Sequence, residues 1–226
     1  MKRREWMALC ARGTGGFLLG ACIAPPRQEV DLPDVGDDSE TTALPPDYLF
    51  GTYEVREDAA TAWLSATAAC VASFELWTAG AAEPAEVGEV ILTAERGYAS
   101  AYQFEGLEPD KEYRYRAIFD DTRYGPWLRF RTAPLPSEVR SVSFVFSADV
   151  GFDAKWFGAL EGIVKLPADF YINMGDWPYA DGHPAARELD EFRERHRRSR
   201  SPLPIQRFMR QFPAFAIYDD RPRRKR

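Results

Sequence analysis

The sequence is poor in cysteine, in long apolar runs and in positive charge. Three cysteines in 226 residues cannot build a disulfide framework. No apolar run approaches the ~20 residues that a membrane-spanning helix needs. The formal net charge is −6, whereas a general nucleic-acid-binding protein is normally basic. We therefore expect neither a disulfide scaffold, nor a transmembrane helix, nor a nucleic-acid partner. Hydrophobic residues make up 45% and aromatic residues 14% of the chain, which predicts a folded core.

The first 22 residues have the features of a targeting segment, which should be kept apart from the fold. Arg3-Arg4-Glu5-Trp6-Met7 resembles a twin-arginine export signal, and Leu19-Gly20-Ala21-Cys22 resembles a lipobox with Cys22 as the acylated residue. We expect an exported protein, periplasmic or at the cell surface, that contacts a membrane only through a lipid anchor. A basic start followed by a chance cysteine is the alternative. Residues 23–46 are rich in proline and acidic side chains and predict a disordered tether.

Residues 47–136 consist of short alternating runs separated by turn residues, which predicts a β-sandwich. In Tyr113-Arg114-Tyr115-Arg116-Ala117, aromatic and basic residues alternate as in a strand with one buried face. Leu107-Glu108-Pro109-Asp110-Lys111-Glu112-Tyr113 resembles the corner before a late strand of fibronectin type III domains, and Phe130-Arg131-Thr132-Ala133-Pro134 resembles the end of such a domain. This resemblance implies that Tyr113 buries its ring and hydrogen-bonds back to the chain. It indicates a fold and no function.

Residues 137–226 begin with a strand, helix and strand pattern that places an aspartate after each strand. The β-rich run 139–147 leads to Asp149, residues 154–166 have helical spacing, and the apolar run 170–174 leads to Asp176. A crossover of this kind makes the two strands parallel, so both aspartates should lie at the same sheet edge, where open α/β sheets bind ligands. The pattern predicts an α/β domain with a functional edge.

Two carboxylates placed together repel each other unless a cation lies between them. A pair of metals bridged by one carboxylate activates water and holds a phosphoryl group, and Asp176 is the natural bridging residue. Tyr179 could add a phenolate oxygen if a hard cation lowered its pKa. Either aspartate alone is better explained as a helix cap or turn residue, whereas the pair favours a metal site.

The block Gly175-Asp176-Trp177-Pro178-Tyr179-Ala180-Asp181-Gly182 is similar to a motif of alkaline phosphatase D-like enzymes, which belong to the calcineurin-like metallophosphatases. The resemblance implies a hydrolase acting on phosphate esters through metal-activated water, with Asp149, Asp176 and Tyr179 as metal ligands. It also implies iron and calcium, or another pair of metals, as cofactors. We expect a monomer. His183 and His196 have no recognised ligand spacing and are expected to be surface residues.

A third buried strand is predicted at residues 214–218, followed by Asp219-Asp220. The same resemblance makes Asp220 a metal ligand, but Arg221 stands where the family has a histidine that assists the leaving group. The sequence therefore predicts a fibronectin III-like β-sandwich followed by an incomplete, truncated metallophosphatase domain. We expect the shortened sheet to expose an edge and an apolar face, and phosphatase activity to be impaired.

Two other interpretations stay open beside the phosphoesterase. One is a non-catalytic exported lipoprotein whose β-sandwich is a binding module for a partner or an envelope component. The other is a decayed remnant without function. Loss of metal binding on replacing Asp176 would distinguish the first interpretation from the enzyme.

Overall fold

The computed structural model describes residues 11–12, 18–22, 48–78, 80–150, 157–181 and 184–217, and in these residues it is β-rich, with two sheets and few helices. The strands are β1 Ala11–Arg12, β2 Leu18–Cys22, β3 Leu49–Tyr53, β4 Ala59–Ser65, β5 Cys70–Thr78, β6 Ala85–Leu92, β7 Ala99–Glu105, β8 Glu112–Phe119, β9 Arg123–Tyr124, β10 Leu128–Arg131, β11 Phe144–Ala148, β12 Phe170–Asn173 and β13 Ala214–Ala216. The helices are α1 Phe157–Ile163, α2 Leu189–Arg200 and α3 Leu203–Gln211, and a 3-10 turn covers Ala94–Arg96.

The two sheets share a hydrophobic core. The smaller sheet has the order β10-β8-β5-β6, with β9 pairing β8, and the larger one ends in β3-β4-β7. Strand β8 alternates buried and half-buried residues along its whole length, as its sequence predicts. The buried side chains of both sheets form one cluster, whose aromatic members are Tyr48, Phe50, Phe74, Phe104, Tyr113, Tyr115, Phe119 and Phe130.

The predicted tyrosine corner is confirmed. The backbone N–H of Glu108 donates a hydrogen bond to the Tyr113 hydroxyl at 2.8 Å, and only 3% of Tyr113 is exposed. The ring stacks on Phe130 of β10, with centroids 5.4 Å apart. The tyrosine therefore fastens the β7–β8 connection to the core, because its ring is buried while its hydroxyl satisfies a backbone donor.

Strands β11, β12 and β13 are parallel neighbours, which confirms the predicted strand, helix and strand pattern. Helices α1 and α3 cover one face, where Val145, Tyr171 and Ala214 are buried. Helix α3 contributes Ile205, Phe208 and Met209, whose spacing places them on one side of the helix. Helix α2 lies inside the predicted helical range 184–200 and begins with a capping box between Glu188 and Glu191.

The prediction of an uncovered sheet edge is wrong for the described residues. On one side of the parallel strands, β13 pairs with β3 through Ala214 and Tyr53, so the larger sheet continues into the first part of the chain. On the other side, β2 pairs antiparallel with β11. Both edges are thus hydrogen-bonded by segments that precede the strands by more than a hundred residues in sequence, and the local pattern of residues 137–226 carries no sign of them.

The prediction of an uncovered apolar face is confirmed in part. Phe144, Phe170 and Phe215 form a row of ring contacts on the face opposite α1 and α3, with centroid distances of 5.6 and 5.2 Å. Phe215 is 39% exposed, and Ile217, just after β13, is 58% exposed. In the part of the chain that the structure describes, no helix is long and apolar enough to cross a membrane.

Candidate metal centre

Two aspartates mark the carboxyl ends of β11 and β12. Asp149 directly follows the last residue of β11, and Asp176 lies in the loop after β12. Both have a left-handed backbone, with φ of 57° and 54°, a conformation that aspartate tolerates better than most residues. Because β11 and β12 are parallel and in register, both loops leave the sheet at the same edge. The predicted placement of these two residues is confirmed.

Tyr179 brings its phenol to the same place. Its hydroxyl donates a hydrogen bond to Oδ1 of Asp149 at 2.7 Å. Desolvation is the main cause that raises the pKa of Tyr179 above its usual value, followed by the hydrogen bond and the charge of Asp149 and then by the charge of Asp176. The half-buried Tyr179 phenol therefore interacts with both carboxylates, and burial together with these two negative charges favours its protonated form.

A buried polar network supports the Asp176 loop from within the sheet. The Tyr171 hydroxyl is hydrogen-bonded to Ser147 Oγ at 2.7 Å and accepts from Asn173 Nδ2 at 3.0 Å. The Asn173 side-chain oxygen accepts from the Gly175 N–H at 2.9 Å. Sequence reasoning missed these residues, although a serine and an asparagine near the ends of apolar strands were the available signal. The network holds the turn that precedes Asp176.

The donor set fits a hard cation. Two carboxylates and a phenol supply oxygen ligands of the kind that Ca²⁺, Mg²⁺ and ferric iron accept. The proton that Tyr179 shares with Asp149 would have to leave if the phenol oxygen bound a metal. The described residues contain no group of three or more histidine, cysteine, aspartate or glutamate side chains that could hold a metal. Among the described residues, the candidate ligands at this edge are thus two carboxylates and a phenol, and both metal binding and its two-metal form stay predictions.

The other predicted site residues are outside this cluster. Asp220, Arg221 and His183 lie outside the described residues. The backbone of Cys22, the predicted lipidation site, belongs to β2.

His196 lies on α2, as the prediction of a surface residue requires. The residue is exposed, yet partial desolvation by the surrounding protein lowers its pKa to about 4, with the positive charge of Arg200 as the second cause. Arg200 lies 2.8 Å from its Nδ1 and also stacks on Trp177, 4.6 Å from the ring centroid. His196 is thus neutral at pH 7, and Arg200 brings a positive charge next to the Asp176 loop.

A known protein that this chain resembles was found by its three-dimensional structure and not by its sequence. No protein-family model and no curated protein matches the chain. A solved structure of PhoD matches 77% of this chain with a TM-score of 0.68 and 19% sequence identity. Weaker matches are the sensor domain of the anti-sigma factor RsgI4 of Pseudobacteroides cellulosolvens (13% identity, 42% of this chain, 100% of that one, TM-score 0.34) and the fn3 domain of human contactin 1 (16%, 41%, 80%, 0.30). The chain spans 38% of the PhoD structure, and over that part it has a PhoD-like fold.

Proposed function

We propose that this chain carries part of a metal-dependent phosphoesterase that hydrolyses phosphate esters through activated water. The observation that supports it is the convergence of Asp149, Asp176 and Tyr179 at the carboxyl ends of two parallel strands, in a fold shared with a PhoD structure. These three side chains offer oxygen ligands for a cation at the sheet edge where α/β folds bind their ligands.

Each residue has a separate part in this proposal. Asp149 and Asp176 would hold the metals through their negative charges. Tyr179 would add a phenolate oxygen after losing the proton that it now donates to Asp149, and Asp220 would be a fourth ligand. Once bound, a pair of metals such as iron and calcium supplies an activated hydroxide and neutralises charge on the phosphoryl group. With Arg221 at the position of the family's histidine, we expect low activity from the chain of 226 residues.

Replacing Asp176 by asparagine weakens Mn²⁺ or Ca²⁺ binding by about 100-fold, because an amide lacks the charge that holds a cation between two carboxylates. Isothermal titration calorimetry on the full chain measures this without relying on turnover.

Asp121→Asn is the matched control, since Asp121 is also a left-handed aspartate shortly after a strand, with φ of 59°, but is exposed near the end of β8. Equal affinities of the wild type and both variants would contradict the metal centre. So would equal losses in both variants.

For the fold, we propose a fibronectin III-like β-sandwich followed by the beginning of an α/β metallophosphatase domain. The strand order β3-β4-β7 against β10-β8-β5 and the Tyr113 corner support the first part. The parallel strands β11, β12 and β13 with α1 and α3 on one face support the second.

A surface cluster on the smaller sheet favours the alternative, a non-catalytic binding module. The Arg116 guanidinium lies over the rings of Tyr124 and Trp127, at 4.4 and 4.6 Å, and Trp127 contacts Trp77 edge to face. Tyr124 is exposed, the two tryptophans are half-buried, and Arg116 also pairs with Glu75 at 2.6 Å. Aromatic rings beside an arginine at a surface suit recognition of a partner. The metal titration separates the two functions, because a binding module has no need of Asp176.

We also propose export with lipidation at Cys22, and a monomeric mature protein. Processing before Cys22 removes β1 and all of β2 except Cys22, so the β11 edge loses its antiparallel neighbour. We expect intact-mass spectrometry of membrane-associated protein to show a mature chain that begins at an acylated Cys22, and Cys22→Ala to abolish both the acylation and the membrane association. A membrane fraction that retains residues 1–21 would contradict the proposal.

A further inference from the structure

A groove lies beside the candidate metal centre, and none of its side chains is a proposed metal ligand. It has a volume of ≈ 1060 Å³ and lies between α2 and the part of the larger sheet around β4 and the Ala94–Arg96 turn. Arg193 of α2 joins its two walls, because its guanidinium donates to the Glu95 carbonyl across the groove at 3.3 Å. The space is larger than most organic phosphate esters require.

The groove is positively charged in a protein of net negative charge. Four arginines and two acidic residues line it: Arg96, Arg193, Arg197, Arg200, Asp190 and Glu194. Arg193 pairs with Asp190 at 2.9 Å, and Arg197 pairs with Glu194 at 2.8 Å. Among the described residues, Arg96 and Arg200 have no carboxylate partner. Arg200 is held by His196 and by the Trp177 ring, but no described carboxylate neutralises its charge or that of Arg96, so both positive charges attract an anionic ligand.

Aromatic side chains line the same space. Trp63 of β4 and Tyr98 lie on the sheet side, and Phe192 of α2, 38% exposed, lies on the helix side. These rings present flat apolar surface to a groove that also contains two unpaired positive charges. Flat rings next to arginine are the combination that accepts a planar ligand with a negative group.

Arg200 connects the groove to the candidate metal centre. It lines the groove and at the same time stacks on Trp177, the residue after Asp176. Tyr53 also lines the groove and packs against the same cluster as Trp177. A ligand whose negative end reaches Arg200 therefore borders the loop that carries Asp176 and Tyr179.

We propose that the groove binds phosphate esters that carry a planar aromatic group, with the ring between Trp63, Tyr98 and Phe192 and the negative charge at Arg96 and Arg200. The inference rests on the proposed function, whose substrate class it narrows from any phosphate ester to aromatic ones. It assigns α2, which follows the metal-site loop, to substrate selection.

The test is calorimetric binding of adenosine 5′-monophosphate to the full chain in the presence of a chelator, with adenosine and ribose 5-phosphate as comparison ligands. We expect the nucleotide to bind about tenfold more tightly than either fragment, since each fragment lacks one of the two contacts. Arg96→Gln and Arg200→Gln should each weaken nucleotide binding by about tenfold, the cost of one charge-assisted hydrogen bond.

Arg198→Gln is the matched control, because Arg198 is exposed on the same helix and does not line the groove. Unchanged binding in both groove variants overturns the proposal, as does an equal loss in all three variants or equal affinity for the nucleotide and either fragment. Because the chelator removes metal ions, nucleotide binding to the groove is measured independently of the metal centre. If the chain binds the nucleotide but not Mn²⁺, only the proposed phosphoesterase function is rejected. If it binds Mn²⁺ but not the nucleotide, only the groove proposal is rejected.

Discussion

Replacing Phe74 by alanine lowers the free energy of unfolding by about 3–5 kcal/mol, as is usual for a phenylalanine removed from a packed core. Phe74 is 0% exposed and lies on β5, between β6 and β8 in the smaller sheet. Its ring contacts Tyr102, Phe104 and Tyr115 at centroid distances of 5.1, 5.9 and 6.4 Å. Because these neighbours belong to both sheets, the cavity that alanine leaves would lie between the sheets, where the movement of a single loop cannot fill it.

Urea unfolding followed by circular dichroism measures this loss, and Val71→Ala is the control. Val71 is on the same strand but 39% exposed, so we expect a change of less than about 1 kcal/mol there. A similar loss in both variants, or a loss below about 1 kcal/mol for Phe74→Ala, would show that the two sheets do not share the core described above.

Stability falls steeply above about pH 10, the pKa of an unperturbed tyrosine. Tyr115 and Tyr171 are buried, and desolvation is the main cause that raises the pKa of each phenol. Above pH 10 the unfolded chain loses these protons while the folded chain keeps them, so the unfolded state is favoured as the pH rises. Each tyrosine then lowers the free energy of unfolding by about 1.4 kcal/mol per pH unit until the pH reaches its pKa in the folded state.

Urea unfolding at a series of pH values from neutral to strongly alkaline measures this slope. Tyr171→Phe and Tyr115→Phe should each flatten it by the contribution of one group. At neutral pH both variants are also less stable, because the Tyr115 hydroxyl is hydrogen-bonded to Thr52 at 2.9 Å and the Tyr171 hydroxyl to Ser147 at 2.7 Å. The control is Tyr124→Phe, whose exposed ring should leave the slope unchanged. A slope that neither buried variant alters would refute this explanation.

Local sequence patterns predict the elements whose neighbours are close in the chain. Strand β8 alternates without interruption, so its bounds follow from the residues alone. The two strands before Asp149 and Asp176 were also found, since each is an apolar run followed by a polar loop, but β11 begins only at Phe144, five residues after the start of the predicted run 139–147. For the candidate site, the sequence is sufficient to place both aspartates and Tyr179 together.

Pairing over long distances in sequence could not be predicted. Strand β3 lies almost entirely in buried surroundings and lacks alternation, so its short run has no strand signal of its own. Its pairing with β13 places Tyr53 beside Ala214, and no local sequence pattern indicates that these two distant segments pair. Strand β2 was missed because its small residues resemble a cleavage region. The groove was missed because the charges of α2 are typical of a solvated helix.

The pairing of β3 with β13 also bears on the order in which the molecule is assembled during synthesis. Every strand of the smaller sheet, together with β3, β4 and β7, leaves the ribosome before β13 is made. Domains generally fold as units in the order of translation, so β3 can offer an ordered edge when the last described strand emerges. The first part of the chain would then act as a template, which makes assembly of the sheet edge that carries Asp149 and Asp176 the last event in the folding of the described structure.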